Sequence, residues 1–110
     1  RSLKSGTVQT VPKPQTIADG LRTESLGSIT FPTIQKNVDD MVTVSDRDII
    51  ETMYYLWTRM KIIVEPSGAT ALAPLFKRKL PFEGKRIGVI LSGGNVDVRQ
   101  AGELFASIEE

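Results

Sequence analysis

The pattern of apolar and polar residues is most regular between residues 45 and 61. Apolar side chains recur there every three to four residues, which is the spacing of one helix face. They are Ile49, Met53, Leu56, Trp57 and Met60. Ser45 is a good N-cap, and Asp46 and Asp48 suit the positive end of a helix dipole. The pattern predicts a helix over residues 46–61.

The same spacing predicts which side of this helix is buried. The apolar positions fall on one face, so four side chains are expected in the core. They are Ile49, Met53, Leu56 and Met60. Arg47, Glu51 and Arg59 fall on the opposite face and are expected to stay in solvent.

Shorter apolar runs predict the remaining elements. Strands are predicted at residues 41–44, 62–65 and 86–91, and the last run is so apolar that both of its faces are expected to be covered. Helices are predicted at residues 31–38, 67–79 and 98–108. The side chains that share one face of the last helix are Val98, Ala101, Leu104, Phe105 and Ile108.

The order of these elements indicates a fold class. Residues 1–30 contain several Gly and Pro residues and little periodicity, so they are expected to form an irregular segment. Residues 31–110 alternate strands with helices, which is typical of an α/β fold with an open sheet. Ligands of such sheets lie beyond the carboxyl ends of the strands. Glu65–Gly68 and Ser92–Asn95 each follow a predicted strand and are therefore candidate sites.

Composition excludes several classes of protein. The 110 residues are 40% hydrophobic and 25% charged, as in globular domains. The net charge is +1 with both signs interspersed, which argues against a nucleic-acid partner, and no apolar run approaches the roughly 20 residues that span a bilayer. With neither Cys nor His, the chain is expected to hold no metal and to suit the cytoplasm. The start at Arg1 suggests an excised piece.

Each candidate motif has an ordinary structural interpretation beside the functional one. Gly93 and Gly94 allow close approach of a ligand, and Ser92 and Asn95 add hydrogen-bonding groups, yet such turns more often simply connect a strand to a helix. Glu65 either faces a pocket or lies near a helix N-terminus, where the dipole stabilises it. Asp19 and Gly20 alone are best explained as a turn.

Three segments taken together resemble, in order and spacing, the last third of the serine/threonine dehydratase and serine racemase family. They are Thr16-Ile17-Ala18-Asp19-Gly20-Leu21, Val64-Glu65-Pro66-Ser67-Gly68-Ala69 and Leu91-Ser92-Gly93-Gly94-Asn95-Val96-Asp97. Residues 38–45 and 59–61 are similar too, so the resemblance covers nearly the whole chain. It implies fold type II of the pyridoxal-phosphate (PLP) enzymes. The chain would form the C-terminal part of the large domain, an open, mostly parallel sheet with flanking helices.

The resemblance also implies a cofactor and its contacts. PLP is the expected cofactor, and Ser92 is expected to hydrogen-bond its pyridine nitrogen. Gly93, Gly94 and Asn95 would shape the turn around that contact. Gly20 is expected against the cofactor near the active-site mouth, and the glutamate of the family's second segment, here Glu65, near the ring.

Parts of the family's machinery are missing from this chain. The lysine that forms a Schiff base with PLP in relatives lies in a Ser-x-Lys-x-Arg-Gly context that does not occur here. The glycine loop for the PLP phosphate and the loop for the substrate carboxylate are missing too. Lys4 lies in a context that resembles a non-catalytic part of the family. The chain is therefore expected to contain no catalytic residue and to be inactive alone.

The resemblance implies deamination of L-serine or L-threonine to a 2-oxo acid and ammonia. The partners would be a small amino-acid substrate, the remainder of the chain's own catalytic domain and, in the complete enzyme, a second copy. Two alternatives stay open: a serine racemase segment, and a non-catalytic α/β module that binds a small molecule or a partner. The residues preceding Arg1 would discriminate, because the Schiff-base lysine and the glycine loop are expected there in an enzyme.

Overall fold

A computed structural model describes residues 1–77 and 80–108 of the chain. Its α-helices, in chain order, are α1 (Ser2–Ser5), α2 (Thr30–Asn37), α3 (Asp46–Tyr55), α4 (Pro66–Ala69), α5 (Ala73–Phe76) and α6 (Val98–Ala106). A short 3-10 helix covers Asp19–Leu21, and a π-helical turn, Leu56–Met60, continues α3. The helices predicted at residues 31–38, 46–61 and 98–108 are confirmed as α2, α3 with its π-helical turn, and α6.

The start of α3 is fixed by side-chain capping. The Ser45 hydroxyl accepts a hydrogen bond from the Asp48 backbone N–H at 3.2 Å. The Asp48 carboxylate in turn accepts one from the Ser45 backbone N–H at 2.9 Å. Two backbone donors that the first helical turn leaves unpaired are thus satisfied reciprocally, which confirms Ser45 as the N-cap.

The hydrophobic core lies around α3. Ile49, Met53 and Leu56 are buried there against a small set of side chains from the rest of the chain. That set is Ala18, Val64, Ala69 and Ala101. Three of the four burial predictions for this helix are therefore confirmed.

Met60 is the exception, since it is 51% exposed. A π-helical turn takes more residues than an α-helical one, so the fourth residue after Leu56 no longer falls on the buried face. Lys61 ends the turn with left-handed backbone (φ 60°). The predicted burial of Met60 is wrong because the helix widens in its last turn.

Glu51 is half-buried rather than fully in solvent. It forms a salt bridge with Lys77 at the end of α5 and another with Arg47 one turn earlier on α3, at 2.9 Å. The hydrogen bond from Lys77, together with Arg47, lowers the pKa of the Glu51 carboxyl below its usual value. Glu51 therefore links α3 to α5.

The helix predicted at residues 67–79 is formed as two short helices, α4 and α5. Proline has no N–H to continue a helix but suits its first turn, and Pro66 and Pro74 each stand at such a position. Pro74 thus begins a new helix instead of extending α4. The last two positions of the predicted helix, 78 and 79, lie outside the described residues.

No strand forms within residues 1–77 and 80–108, so the three predicted strands are not seen. One hydrogen bond, from the Glu65 N–H to the Gly93 carbonyl at 3.0 Å, joins the two candidate turns. Ile90 is 81% exposed, so the predicted cover on both faces of residues 86–91 is wrong for this chain. The described residues contain no strand that pairs with this segment through backbone hydrogen bonds.

On α6, Ala101 is buried and Phe105 packs against the core. The Phe105 ring lies edge-on to Trp57, with ring centroids 5.4 Å apart. Val98 is 72% exposed, so α6 contacts the core from Ala101 onwards and not at its first residue. None of the helices in the described part of the chain has the length and apolar character to cross a membrane.

Candidate cofactor site

The three segments singled out in the sequence meet around one small cavity of about 110 Å³. Its lining residues are Ile17, Asp19, Arg22, Glu65, Pro66, Asn95, Val96 and Gln100. The first three come from the irregular N-terminal segment. Glu65 begins the turn Glu65–Gly68, which we name the second turn because it belongs to the second of the three segments. Asn95 ends the turn Ser92–Asn95, which we name the third turn, and Gln100 lies in the first turn of α6.

The N-terminal wall of the cavity, residues 16–22, is held in place by the core and by the second turn. Ala18 is buried, and the short 3-10 helix follows it. The Gly20 N–H donates to the Ser67 hydroxyl at 3.0 Å. A Cβ atom at position 20 would lie 3.0 Å from that same oxygen, so the absence of a side chain at Gly20 lets the two segments approach.

The second and third turns pack closely against each other because their glycines carry no side chains. A Cβ at Gly68 would lie 2.8 Å from the Gly93 carbonyl oxygen, and one at Gly94 would lie 2.9 Å from the Ile63 carbonyl oxygen. A Cβ at Gly93 would collide with the Glu65 carboxylate. Gly68 and Gly94 are thus required by lack of space against backbone atoms, and the Glu65 side chain lies directly against the Gly93 backbone.

Ser92, unlike Asn95 in the same turn, is not part of the cavity lining. It is exposed. No group in the described ranges hydrogen-bonds to its hydroxyl, which leaves both donor and acceptor capacity for a ligand. Lys4 lies on the exposed helix α1, away from the cavity lining.

The structure therefore brings together most of the residues selected from the sequence. Glu65 and Asn95 line the cavity, and Gly20 and Gly93 are in contact with residues at its edge. Sequence reasoning missed two polar side chains of the lining, Arg22 and Gln100. The signal for Arg22 was its position two residues after Gly20. Gln100 gave no signal, because it occupies an unremarkable helix position.

Within the described part of the chain, no three acidic side chains cluster as metal ligands would. The cavity instead combines one cation, two carboxylates and two amides. Such a set suits a small polar molecule, because these side chains supply both hydrogen-bond donors and acceptors.

Comparison with known proteins identifies the family. The profile described as "Pyridoxal-phosphate dependent enzyme" matches residues 1–93. The chain belongs to this family, whose cofactor is pyridoxal phosphate.

Curated relatives include ammonia-lyases and serine racemases. An L-threo-3-hydroxyaspartate ammonia-lyase from a Pseudomonas species is 45% identical over 105 residues, covering 96% of this chain and 33% of that protein. A serine racemase from Dictyostelium discoideum is 46% identical over 109 residues, covering 96% of this chain and 33% of that protein. The chain thus spans about a third of the length of these relatives.

Solved structures show the same relationship in three dimensions. A threonine deaminase from the organism abbreviated T.th. superimposes with a TM-score of 0.81 at 42% identity, covering 88% of this chain and 33% of that one. The serine racemase of maize gives a TM-score of 0.80 at 39% identity, covering 98% and 34%. These neighbours are fold type II PLP enzymes, so the chain is of the α/β class.

The residues present fit a PLP ring. The Ser92 hydroxyl is exposed and free to hydrogen-bond a ring nitrogen, and the two residues that follow it, Gly93 and Gly94, carry no side chain. The Glu65 carboxylate and the Asn95 amide line the adjacent cavity. These hydroxyl, carboxylate and amide groups supply the hydrogen-bond donors and acceptors that a polar heterocycle needs.

Proposed function

We propose that the chain is the C-terminal segment of a PLP-dependent ammonia-lyase that converts L-serine or L-threonine to a 2-oxo acid and ammonia. The observation that carries this proposal is the meeting of the three candidate segments around one cavity. The relatives named as ammonia-lyases and threonine deaminase support the reaction class. Their coverage supports a complete enzyme about three times as long.

In this proposal the segment holds the cofactor ring. Ser92 would hydrogen-bond the pyridine nitrogen, and Gly93, Gly94 and Asn95 would shape the turn beside it. Glu65 and Gly20 would lie near the ring from the other two segments. When bound, PLP supplies an electron sink for the charge that develops at the substrate α-carbon.

The chemistry of the ring contact favours elimination. A serine hydroxyl is neutral, so it does not hold the ring nitrogen in its charged form as a carboxylate would. Loss of the substrate's β-hydroxyl then competes well with reactions that need a long-lived negative charge at the α-carbon. The lysine that removes the α-proton is assigned to the remainder of the catalytic domain, which also completes the phosphate site and the oligomer.

Turnover by the complete protein tests the proposal. We expect 2-oxo acid and ammonia from L-serine or L-threonine, with L-threo-3-hydroxyaspartate as a third substrate to compare, since two curated relatives are named for it. The 110-residue chain alone should give no turnover and no saturable one-to-one PLP complex. Turnover by that chain alone would overturn the segment assignment.

Serine racemisation is the second candidate, favoured by the 46% identity to the Dictyostelium discoideum racemase. Chiral analysis of serine during the same assay separates the two. D-serine as the main product would establish the racemase. A complete protein that binds no PLP and turns over no substrate would instead establish the non-catalytic module.

The Ser92 contact gives a more local prediction. Ser92→Ala removes one neutral hydrogen bond, worth about 0.5–1.5 kcal/mol, so PLP affinity of the complete protein should fall about 2- to 10-fold. Ser92→Asp should slow 2-oxo acid formation, because a carboxylate favours the charged ring nitrogen. PLP titration by absorbance and steady-state assay measure the two effects. Ser107→Ala, an exposed serine at the end of α6, is the control. Unchanged affinity and rate in both Ser92 variants would refute the contact.

A further inference from the structure

Asp46 connects the start of α3 to the cavity wall. One of its carboxylate oxygens accepts a hydrogen bond from the Thr16 hydroxyl at 2.5 Å. The other accepts one from the Ile17 backbone N–H at 3.2 Å. Both oxygens thus bind a segment some thirty residues earlier in the chain. A first-turn carboxylate needs no such partner to stabilise a helix, so its role extends beyond the helix dipole.

Thr16 passes this constraint on to the residues that line the cavity. Its hydroxyl oxygen accepts from the Ala18 N–H at 3.2 Å, which folds the chain back at Ile17. Its carbonyl accepts from the Arg22 guanidinium Nε at 2.8 Å. The position of Arg22, which lines the cavity, therefore depends on the backbone that Asp46 holds.

The wall has three further kinds of restraint: Ala18 is buried in the core with Ile17 packed against it, local hydrogen bonds join its backbone, and Ser67 holds its far end. Within Thr16–Arg22 the backbone forms three short-range hydrogen bonds, from Asp19 to Ile17, from Leu21 to Ala18 and from Arg22 to Asp19. The Ser67 hydroxyl holds the far end at Gly20. Asp46 thus fixes the start of this irregular segment, Ala18 anchors its middle in the core, and Ser67 holds its far end.

We propose that Asp46 is a positioning residue for the cofactor site: through Thr16 and Ile17 its carboxylate fixes the wall that carries Asp19, Gly20 and Arg22. The inference rests on the proposed function, because the wall is useful only if a ligand occupies the cavity. Asp46 touches neither cofactor nor substrate in this arrangement. It fixes the conformation of the wall before the ligand binds, so less conformational entropy is lost on binding.

The test uses the complete protein in its cofactor-free form. Asp46→Ala removes both acceptors, and Thr16→Val removes the hydroxyl at nearly constant shape while leaving the carboxylate in place. Asp46→Asn keeps one acceptor oxygen and is expected to be intermediate. Glu51→Gln is the matched control, since Glu51 lies on the same helix, pairs with Arg47 and Lys77, and does not contact the wall.

Two readouts distinguish positioning from a general loss of stability. The PLP dissociation constant should rise on the order of tenfold in Asp46→Ala and Thr16→Val. Amide exchange should accelerate by a similar factor at the N–H that loses its acceptor, which is Ile17 in Asp46→Ala and Ala18 in Thr16→Val. Glu51→Gln should change neither, whatever its effect on the melting temperature. If Asp46→Ala does not fold, Thr16→Val carries the test.

Different results overturn different conclusions. Equal PLP affinity in the wild type, Asp46→Ala and Thr16→Val would overturn the positioning role while leaving the proposed function standing. A wild-type protein that binds no PLP would overturn the proposed function. Even then, faster exchange at Ile17 in Asp46→Ala and at Ala18 in Thr16→Val would support the restraint by Asp46, and unchanged exchange would overturn it.

Discussion

Gly94→Ala is expected to weaken PLP binding by the complete protein about 10- to 100-fold and to lower its free energy of unfolding by about 1–3 kcal/mol. The new Cβ would lie 2.9 Å from the Ile63 carbonyl oxygen, closer than real Cβ contacts. That oxygen belongs to the backbone, so it cannot rotate away as a side chain does. The third turn must therefore shift away from the residues preceding the second, and the Ser92 hydroxyl shifts with it.

PLP titration and urea unfolding measure these effects. Gly102→Ala is the control, because a Cβ at Gly102 meets nothing within 4 Å and the position lies inside α6. Alanine there should stabilise the protein by about 0.5–1 kcal/mol. A Gly94→Ala protein that binds PLP as tightly as the wild type would show that the spacing of the two turns does not matter for the cofactor.

Met53→Ala is expected to lower the free energy of unfolding by about 2–5 kcal/mol. Met53 is 0% exposed at the centre of the core around α3, so truncation leaves a cavity there. Urea denaturation of the complete protein gives the value. The size of the loss depends on how far the neighbours, Leu56 and Val64 among them, collapse into the space.

Met60→Ala provides the comparison within the same stretch of helix. Met60 is 51% exposed at the end of the π-helical turn, so the same substitution should change stability by less than about 0.5 kcal/mol. Equal losses at the two methionines would mean that the helix does not widen in solution. In that case Met60 would be buried, as the apolar spacing alone predicts.

The elements that sequence predicted well are those determined by local interactions. The capping box at Ser45 and Asp48 lies within four residues, and the apolar spacing of α3 repeats over two turns. The widening at Leu56–Met60 has no local cause in the pattern. It accompanies a contact that apolar spacing does not encode, the Trp57 indole N–H donating to the Val64 carbonyl at 2.9 Å.

The strands show the opposite case. Residues 62–65 and 86–91 have strand-like composition, but a strand exists only where a neighbour supplies hydrogen bonds. A single bond between Glu65 and Gly93 is what the described residues provide. A local pattern cannot reveal whether its partner strands belong to the same piece of chain.

The residues of the candidate site that lie in motifs could be predicted from the sequence, but the residue that holds the cavity wall in place could not. Glu65 and Asn95 stand in recognisable turns, and both line the cavity. Asp46 appeared in the sequence only as a first-turn acid, because its partners Thr16 and Ile17 lie far away along the chain. Hydrogen bonds that join distant segments leave no periodic signal in a single sequence.

The distance along the chain between the cavity's three walls has a consequence for the order of folding. Helix α3 can begin from contacts within a few residues, whereas the cavity exists only after two long loops have closed at an entropic cost that rises slowly with loop length. A molecule that fills the cavity therefore binds the fully assembled chain and not its partly folded forms. By mass action such a ligand favours the completed fold, so saturation of the cavity reports that folding has finished.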